Sequence, residues 1–200
     1  MEIVLATRNR KKVEEFGRIL AGTGIRLRTL DDFPDCPDVA EDSDTFSGNA
    51  VKKAVAVATY TGRPAVSDDS GLEVFALGGA PGVISARYAG EPSSDAANIA
   101  KLLAEMEMVP EEKRAARFVC CIALAVPGTE VVTFAGFAEG TIGREARGNM
   151  GFGYDPVFYP LGHDRTFAEM APGGKDALSH RSLALDKFRE YFNKVYISKT

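Results

Sequence analysis

The stretch Ile3-Val4-Leu5-Ala6-Thr7-Arg8-Asn9-Arg10-Lys11-Lys12 reads as a short buried strand that turns directly into a helix. Asn9 stands where an N-cap belongs, and Val13, Phe16 and Leu20 fall on one face of a helix from Arg10 to about Ala21. Thr23-Gly24 ends that helix, and Ile25 to Leu30 reads as a second short strand. Further out, Phe46, Ala50, Val51, Ala54, Val57 and Ala58 sit at helical spacing and predict a helix from about Thr45 to Tyr60. Pro64 to Ser67 reads as a strand running into Asp68-Asp69-Ser70-Gly71, with another strand at Leu72 to Leu77 and a rigid turn at Gly78-Gly79-Ala80-Pro81-Gly82. Ser94 or Asp95 caps a helix that carries Ile99, Leu102, Leu103 and Met106.

Arg117 to Val126 and Glu130 to Phe134 form the clearest hairpin, joined through Pro127-Gly128 as in a type II turn. A separate strand is expected at Ala138 to Ile142, and a glycine-rich loop at Gly148 to Pro156 leads into a strand at Val157 to Tyr159. The last helix, about Ser182 to Val195, places Leu185, Phe188, Phe192 and Val195 on one face. Strands, a hairpin and helices interleaved in this way predict an α/β protein with a mixed sheet.

The 200 residues suffice for one domain with a full core, expected to span 1–200. A net charge of −4 argues against a general nucleic-acid binder, so a bound polyanion must meet a local basic patch. Cys36, Cys120 and Cys121 do not make a disulfide framework, and the adjacent pair reads as small core hydrophobes. The opening Met-Glu-Ile-Val-Leu-Ala does not resemble a signal peptide. The longest apolar run, Phe118 to Val126, falls far short of the roughly 20 residues that span a bilayer. No nucleic-acid or membrane partner is expected, and the cytoplasm is the expected location.

Five segments carry candidate chemistry. Arg10, Lys11 and Lys12 crowd cations into a first helical turn whose dipole is already positive, a conflict that an anion bound there would remove. A solvated basic turn is the other reading. Asp68 and Asp69 follow an apolar strand; neighbouring carboxylates repel, so a divalent cation or a proton is needed to keep both, unless they belong to an ordinary polar turn. Between Asp31 and Val51 there are seven acidic residues and no Lys or Arg. One of Glu41, Asp42 and Asp44 could join Asp69 at a hard cation, and spacing does not choose which. Gly151-Phe152-Gly153-Tyr154-Asp155-Pro156 offers a flexible backbone and a flat ring for a base, or simply aromatic core packing. Lys175 with Ser179-His180-Arg181 supplies donors for carbonyl or phosphate oxygens, or a helix cap with surface charge.

Taken in order, these segments resemble the inosine triphosphate pyrophosphatase (ITPase/XTPase, dITP/XTP pyrophosphatase) family over nearly the whole chain. The matching pieces are Thr7-x-Asn9-x-x-Lys12, Thr45-Phe46-x-x-Asn49-Ala50 with Lys53, Asp68 to Leu72, Gly78 to Gly82, Ser85 to Tyr88, Gly151 to Pro156 and Ser179-His180-Arg181. The resemblance implies an elongated mixed α/β fold with two lobes around a central substrate cleft, usually in a homodimer. It also implies Mg²⁺-dependent hydrolysis of ITP, dITP and XTP to the monophosphate and pyrophosphate. By position, Thr7, Asn9 and Lys12 would hold phosphates, with Arg8, Arg10, Lys11 and Lys53 beside them. Glu41 and Asp69 would bind Mg²⁺, Asp69 would act as base on the attacking water, and Asp68 would support it. Ser70 would contact substrate, while Phe152, Gly153, Tyr154, Asp155, Lys175, His180 and Arg181 would surround the base. Two positions depart from the family pattern: Arg8 replaces a usual Gly, and Ile84 a frequent Tyr.

Hypoxanthine and xanthine present a C6 carbonyl and an N1–H where adenine presents an amino donor, so donors such as His180 or Arg181 would favour the former. Competing readings are a Maf-like nucleotide pyrophosphatase of other specificity and a nucleotide-binding regulator without turnover.

Overall fold

The computed structural model describes residues 1–197. Its main elements are β1 (Glu2–Leu5), α1 (Arg10–Ile19), β2 (Arg26–Arg28), α2 (Phe46–Thr61), β3 (Ala65–Val74), α3 (Asp95–Glu105), β4 (Ala115–Ala125), β5 (Val132–Ile142), β6 (Phe158–Pro160), α4 (Pro172–Asp176) and α5 (His180–Phe192). The strands form one mixed sheet in the order β2-β1-β3-β4-β5-β6. β1 runs parallel to β2 and to β3, with Val4 opposite Arg28 and Ala65; β5 and β6 are antiparallel. The fold is therefore α/β. Among the described residues no helix is long and apolar enough to cross a membrane.

The chain forms two compact units. One comprises 1–69, 120–136 and 181–200, and the other 70–119 and 137–180. In the first, strand alternation sends successive residues to opposite faces. Ile3, Leu5 and Val66 join Phe16 of α1, its C-cap Leu20, and Leu185, Phe188 and Phe192 of α5. Val4, Ala6 and Ala65 point the other way, against Ala50, Ala54, Val57 and Ala58 of α2. Both faces of β1 are covered, which is why its sequence is an unbroken apolar run. The small residues at 50, 54 and 58 recur every fourth position and bring α2 close to the alanines of the sheet.

In the second unit, Leu72, Val74, Leu102, Met106, Phe118, Val157, Phe158 and Phe167 make the core. Arg114 lies inside this unit, 1% exposed. Its guanidinium donates to the carbonyls of Met106 (2.7 Å), Val109 (3.2 Å), Ile142 (2.7 Å) and Gly143 (2.7 Å). Met106 is the C-cap of α3, so the cation also meets the negative end of that helix. A lysine keeps the charge but lacks the planar fork. Arg114→Lys should therefore cost about 1–3 kcal/mol, because carbonyls are left unpaired. Urea denaturation measures this, and an unchanged midpoint would show that the fork adds nothing.

Several expected elements need correction. Asp68-Asp69-Ser70-Gly71 is no turn between strands; β3 runs straight through it. β5 likewise absorbs the two strands expected at 130–134 and 138–142, and its residues alternate buried and exposed from Gly136 to Ile142. At Gly140 an added Cβ would overlap the Tyr159 carbonyl oxygen of β6. The strand expected at 25–30 shrinks to β2 and gives way to a 3-10 turn at Leu30–Asp32; Phe75–Leu77 is also a 3-10 turn. The apolar strand expected at 157–159 lies one residue later, at Phe158–Pro160. The last helix begins at His180 and continues into a π-helical turn at Asn193–Ile197. The type II turn is present: Gly128 has φ 81° and the Thr129 N–H donates to Val126 O.

Candidate active site

Asp68 and Asp69 are neighbours in β3, and the pleat turns their side chains to opposite faces. Asp68 shares the side of Val66, towards α1 and α5. There its Oδ2 meets Lys12 Nζ at 3.0 Å and Arg181 Nε and Nη2 at 3.2 and 3.0 Å. Arg181 also pairs with Glu15 of α1. Asp69 shares the side of Ala65, towards α2. Its Oδ1 accepts from Lys53 Nζ at 3.2 Å and its Oδ2 from Asn49 Nδ2 at 3.2 Å. The adjacent carboxylates thus coexist because each has its own cationic partner.

These surroundings separate the two acids. Burial alone would raise the pKa of Asp68, but Lys12, Arg181 and Lys53 outweigh it and hold the carboxyl far below the usual range. Asp69 goes the other way. Burial raises its pKa, Lys53 opposes this only in part, and Glu41 adds to the rise. The two neighbouring carboxyls are thus shifted in opposite directions by their surroundings. Burial also pulls on Lys53, but Asp69, Asp68 and Glu41 together hold its pKa above the ordinary lysine value.

Glu41 is brought to Asp69 by the acidic segment before α2. Lys53 Nζ donates to Glu41 Oε1 at 2.6 Å as well as to Asp69. Asn49 fastens the same segment: its side chain accepts from Ser43 N at 2.9 Å and donates to Ser43 O at 3.3 Å. Thr45 caps α2 through Gly48 N, where an added Cβ would overlap Ser43 Oγ. Of the acids in this segment, Glu41 shares a cation with Asp69, whereas Asp42 pairs outward with Lys52. Glu41 and Asp69 converge on one cation, and a set of two carboxylates is what Mg²⁺ commonly uses beside phosphate and water.

At the start of α1, Asn9 Oδ1 accepts from Lys11 N and Lys12 N, and Thr7 Oγ1 from Asn9 N. The Asn9 cap thus already engages two of the helix-end amides, leaving the Arg10 and Lys11 side chains exposed in front of the turn. Arg8 turns to the acidic segment, donating to Asp38 Oδ1 at 3.1 Å and to Cys36 O at 2.6 Å. The cation in place of a usual Gly thus ties the turn to residues 36–38.

The second unit holds the aromatic loop. Asp155 Oδ2 accepts from Phe152 N at 2.9 Å and from Lys175 Nζ at 2.7 Å, and Lys175 lies 5.0 Å from the Phe152 ring centre. Gly151 makes this possible, because an added Cβ would overlap Asp155 Oδ2. Gly153 N donates to Asp95 at the head of α3. Tyr154 belongs to the core, with its hydroxyl donating to Ser85 O at 2.8 Å. His180 stacks on Phe118 at 4.8 Å and 10°. Ser70 is half-buried in β3, and Ile84 is exposed in the 3-10 turn Gly82–Arg87.

Two groups of expected residues therefore assemble. The first unit gathers Lys12, Glu41, Lys53, Asp68 and Asp69, with Thr7, Asn9, Arg10 and Lys11 at the α1 turn. The second gathers Phe152, Gly153, Asp155 and Lys175. Arg181 was expected around the base; its guanidinium instead engages Asp68 and Glu15 of the first unit and is 1% exposed. Sequence reasoning overlooked Asn49 as a partner of Asp69, Glu15 as a partner of Arg181 and Asp95 as an anchor of the loop. For Asn49 a signal existed, a polar residue four before Lys53 on an otherwise apolar helix face.

The sequence model of the Ham1 family matches residues 3–191. A dITP/XTP pyrophosphatase of Desulforamulus reducens is 50% identical over 197 residues, covering 98% of each chain. One from Geobacillus kaustophilus is 51% identical over 194 residues, covering 97% of this chain and 95% of its own. The solved structure of a HAM1 protein from Coxiella burnetii superposes with a TM-score of 0.89 at 42% identity, covering 98% of this chain and 100% of that one. Ham1 from Staphylococcus aureus gives 0.88 at 39% identity, covering 97% and 99%. The chain belongs to the Ham1 family.

Proposed function

We propose that this chain is a nucleoside triphosphate pyrophosphohydrolase that converts ITP, dITP and XTP to the monophosphate and pyrophosphate, clearing deaminated purine nucleotides from the precursor pool. The carrying observation is the pair Asp68 and Asp69, adjacent in β3 yet turned to opposite faces, each with its own cationic partners. The names of its relatives in the family support the substrate class.

Glu41 and Asp69 would hold Mg²⁺, which when bound neutralises charge on the phosphates. Lys12, with Thr7, Asn9, Arg10 and Lys11 of the α1 turn, would bind the triphosphate. Asp69 would take the proton of the water that attacks the α-phosphorus. Asp68 would remain ionised and keep Lys12 and Arg181 in place; Arg181 is then a positioning residue and not a reader of the base. In the second unit, the Phe152 ring would stack on the base, while Lys175 and His180 would donate towards its carbonyl edge. Both units would serve one functional domain spanning residues 1–200, acting as a homodimer in the cytoplasm.

The test is a panel of nucleoside triphosphates with Mg²⁺, scoring pyrophosphate and orthophosphate separately. ITP, dITP and XTP should release pyrophosphate, with ATP at least about tenfold slower in kcat/KM, or ~1.4 kcal/mol. EDTA should abolish turnover. Orthophosphate as the primary product, or ATP as the best substrate, would overturn the reading.

A further inference from the structure

A single ammonium, that of Lys53, holds both carboxylates proposed for the metal: 2.6 Å to Glu41 Oε1 and 3.2 Å to Asp69 Oδ1. We infer that Lys53 is a placeholder cation. In the nucleotide-free protein it bridges Glu41 and Asp69 in the metal's stead, and it gives up that bridge to the nucleotide phosphates when metal and substrate arrive. This deepens the proposed function and rests on its assignment of Glu41 and Asp69 as metal ligands.

Three features support the exchange. A divalent ion matches the charge of two carboxylates, which one monovalent ammonium does not. A dication on the same two oxygens would repel the ammonium at close range, so both cannot occupy the bridge. The lysine also has somewhere to go. Its four-carbon stem is flexible, it stands on α2, and its side chain keeps 12% exposure.

Asn49 keeps the remaining pieces in place during such an exchange. It lies one helical turn before Lys53 and binds Asp69 through the other oxygen, Oδ2, while also gripping the backbone of Ser43. Withdrawal of Lys53 thus vacates Oδ1 without releasing either the Asp69 carboxylate or the segment that carries Glu41. The thermodynamic consequence is coupling. Metal must displace a resident cation in the free protein, whereas the triphosphate offers that cation a new partner, so nucleotide and metal should strengthen one another's binding.

The experiment is a titration of nucleotide-free protein with Mn²⁺, read by electron paramagnetic resonance of the unbound ion. The proteins are wild type, Lys53→Met, Lys53→Gln, Lys53→Arg and Asp69→Asn. Both uncharged variants should bind Mn²⁺ about tenfold or more tightly than wild type, because the competing charge is gone. Lys53→Arg, which retains a cation, should not gain affinity. Asp69→Asn should lose binding. If the uncharged variants bind no more tightly than wild type while Asp69→Asn has lost binding, the placeholder role is wrong and the metal site stands. If Asp69→Asn binds as well as wild type, the metal assignment itself is wrong. Absence of Mn²⁺ binding in wild type and in both uncharged variants also overturns the placeholder.

Discussion

Arg181→Met should lower the stability of the protein by about 3–5 kcal/mol, the cost typical of removing one partner from a buried ionic cluster. The guanidinium is 1% exposed and is shared by Asp68, itself 1% exposed, and Glu15. Burial disfavours its charge, but Asp68 and Glu15 more than compensate and lift its pKa above the ordinary arginine value. Methionine fills much of the volume, so lost packing is a minor part of the effect. What remains is a pair of carboxylates in a dry setting, with Lys12 still beside Asp68. Adding Glu15→Gln should therefore recover part of the loss, and a double-mutant cycle by urea denaturation measures that coupling. Any residual turnover should fall equally for ITP and ATP. A loss below about 1 kcal/mol would show the cluster to be dispensable, and a selective loss on ITP would return Arg181 to the base.

Asp69→Asn should reduce turnover by about 10²-fold or more while the protein stays folded. Its pKa is raised, which means that the fold penalises the ionised form. The penalty sets in as pH rises above the unfolded value, and a neutral isostere removes it. Stability should accordingly be unchanged or slightly higher, in contrast to the cost at Arg181. The loss falls on chemistry, because asparagine neither accepts a proton at neutral pH nor supplies a charged metal ligand. Single-turnover rates at saturating Mg²⁺, alongside a melting curve, decide the matter. Near-normal turnover in a folded variant would place the base elsewhere.

Much of the fold was legible because local signals agreed. Asn9, Thr45 and Ser94 all cap the helices they precede, and the Pro127-Gly128 turn joins β4 to β5. The errors cluster where tertiary contacts reverse a local preference. Aspartates and glycines normally interrupt strands, yet β3 carries Asp68-Asp69-Ser70-Gly71 because distant cations neutralise the acids. β5 carries Gly140 because Tyr159 leaves no room for a side chain. The site follows the same rule. Glu41 could be shortlisted from its acidic neighbourhood, but its selection depends on Lys53 and Asn49 across a loop. The direction of Arg181 was not legible at all, since its partner Asp68 lies 113 positions away.

The pleat of β3 also bears on how this chain tolerates variation. Its one-residue step gives position 68 a buried ionic cluster and position 69 the proposed chemistry, so on that reading identical side chains answer to different selective demands. A library scored for soluble expression would weed out changes at Asp68 and pass many at Asp69; one scored for nucleotide turnover would reject both. A deletion of a single residue within Ala65–Ser67 would carry each carboxylate to the other's face, handing Lys12 and Arg181 the acid that now faces Lys53 and Asn49.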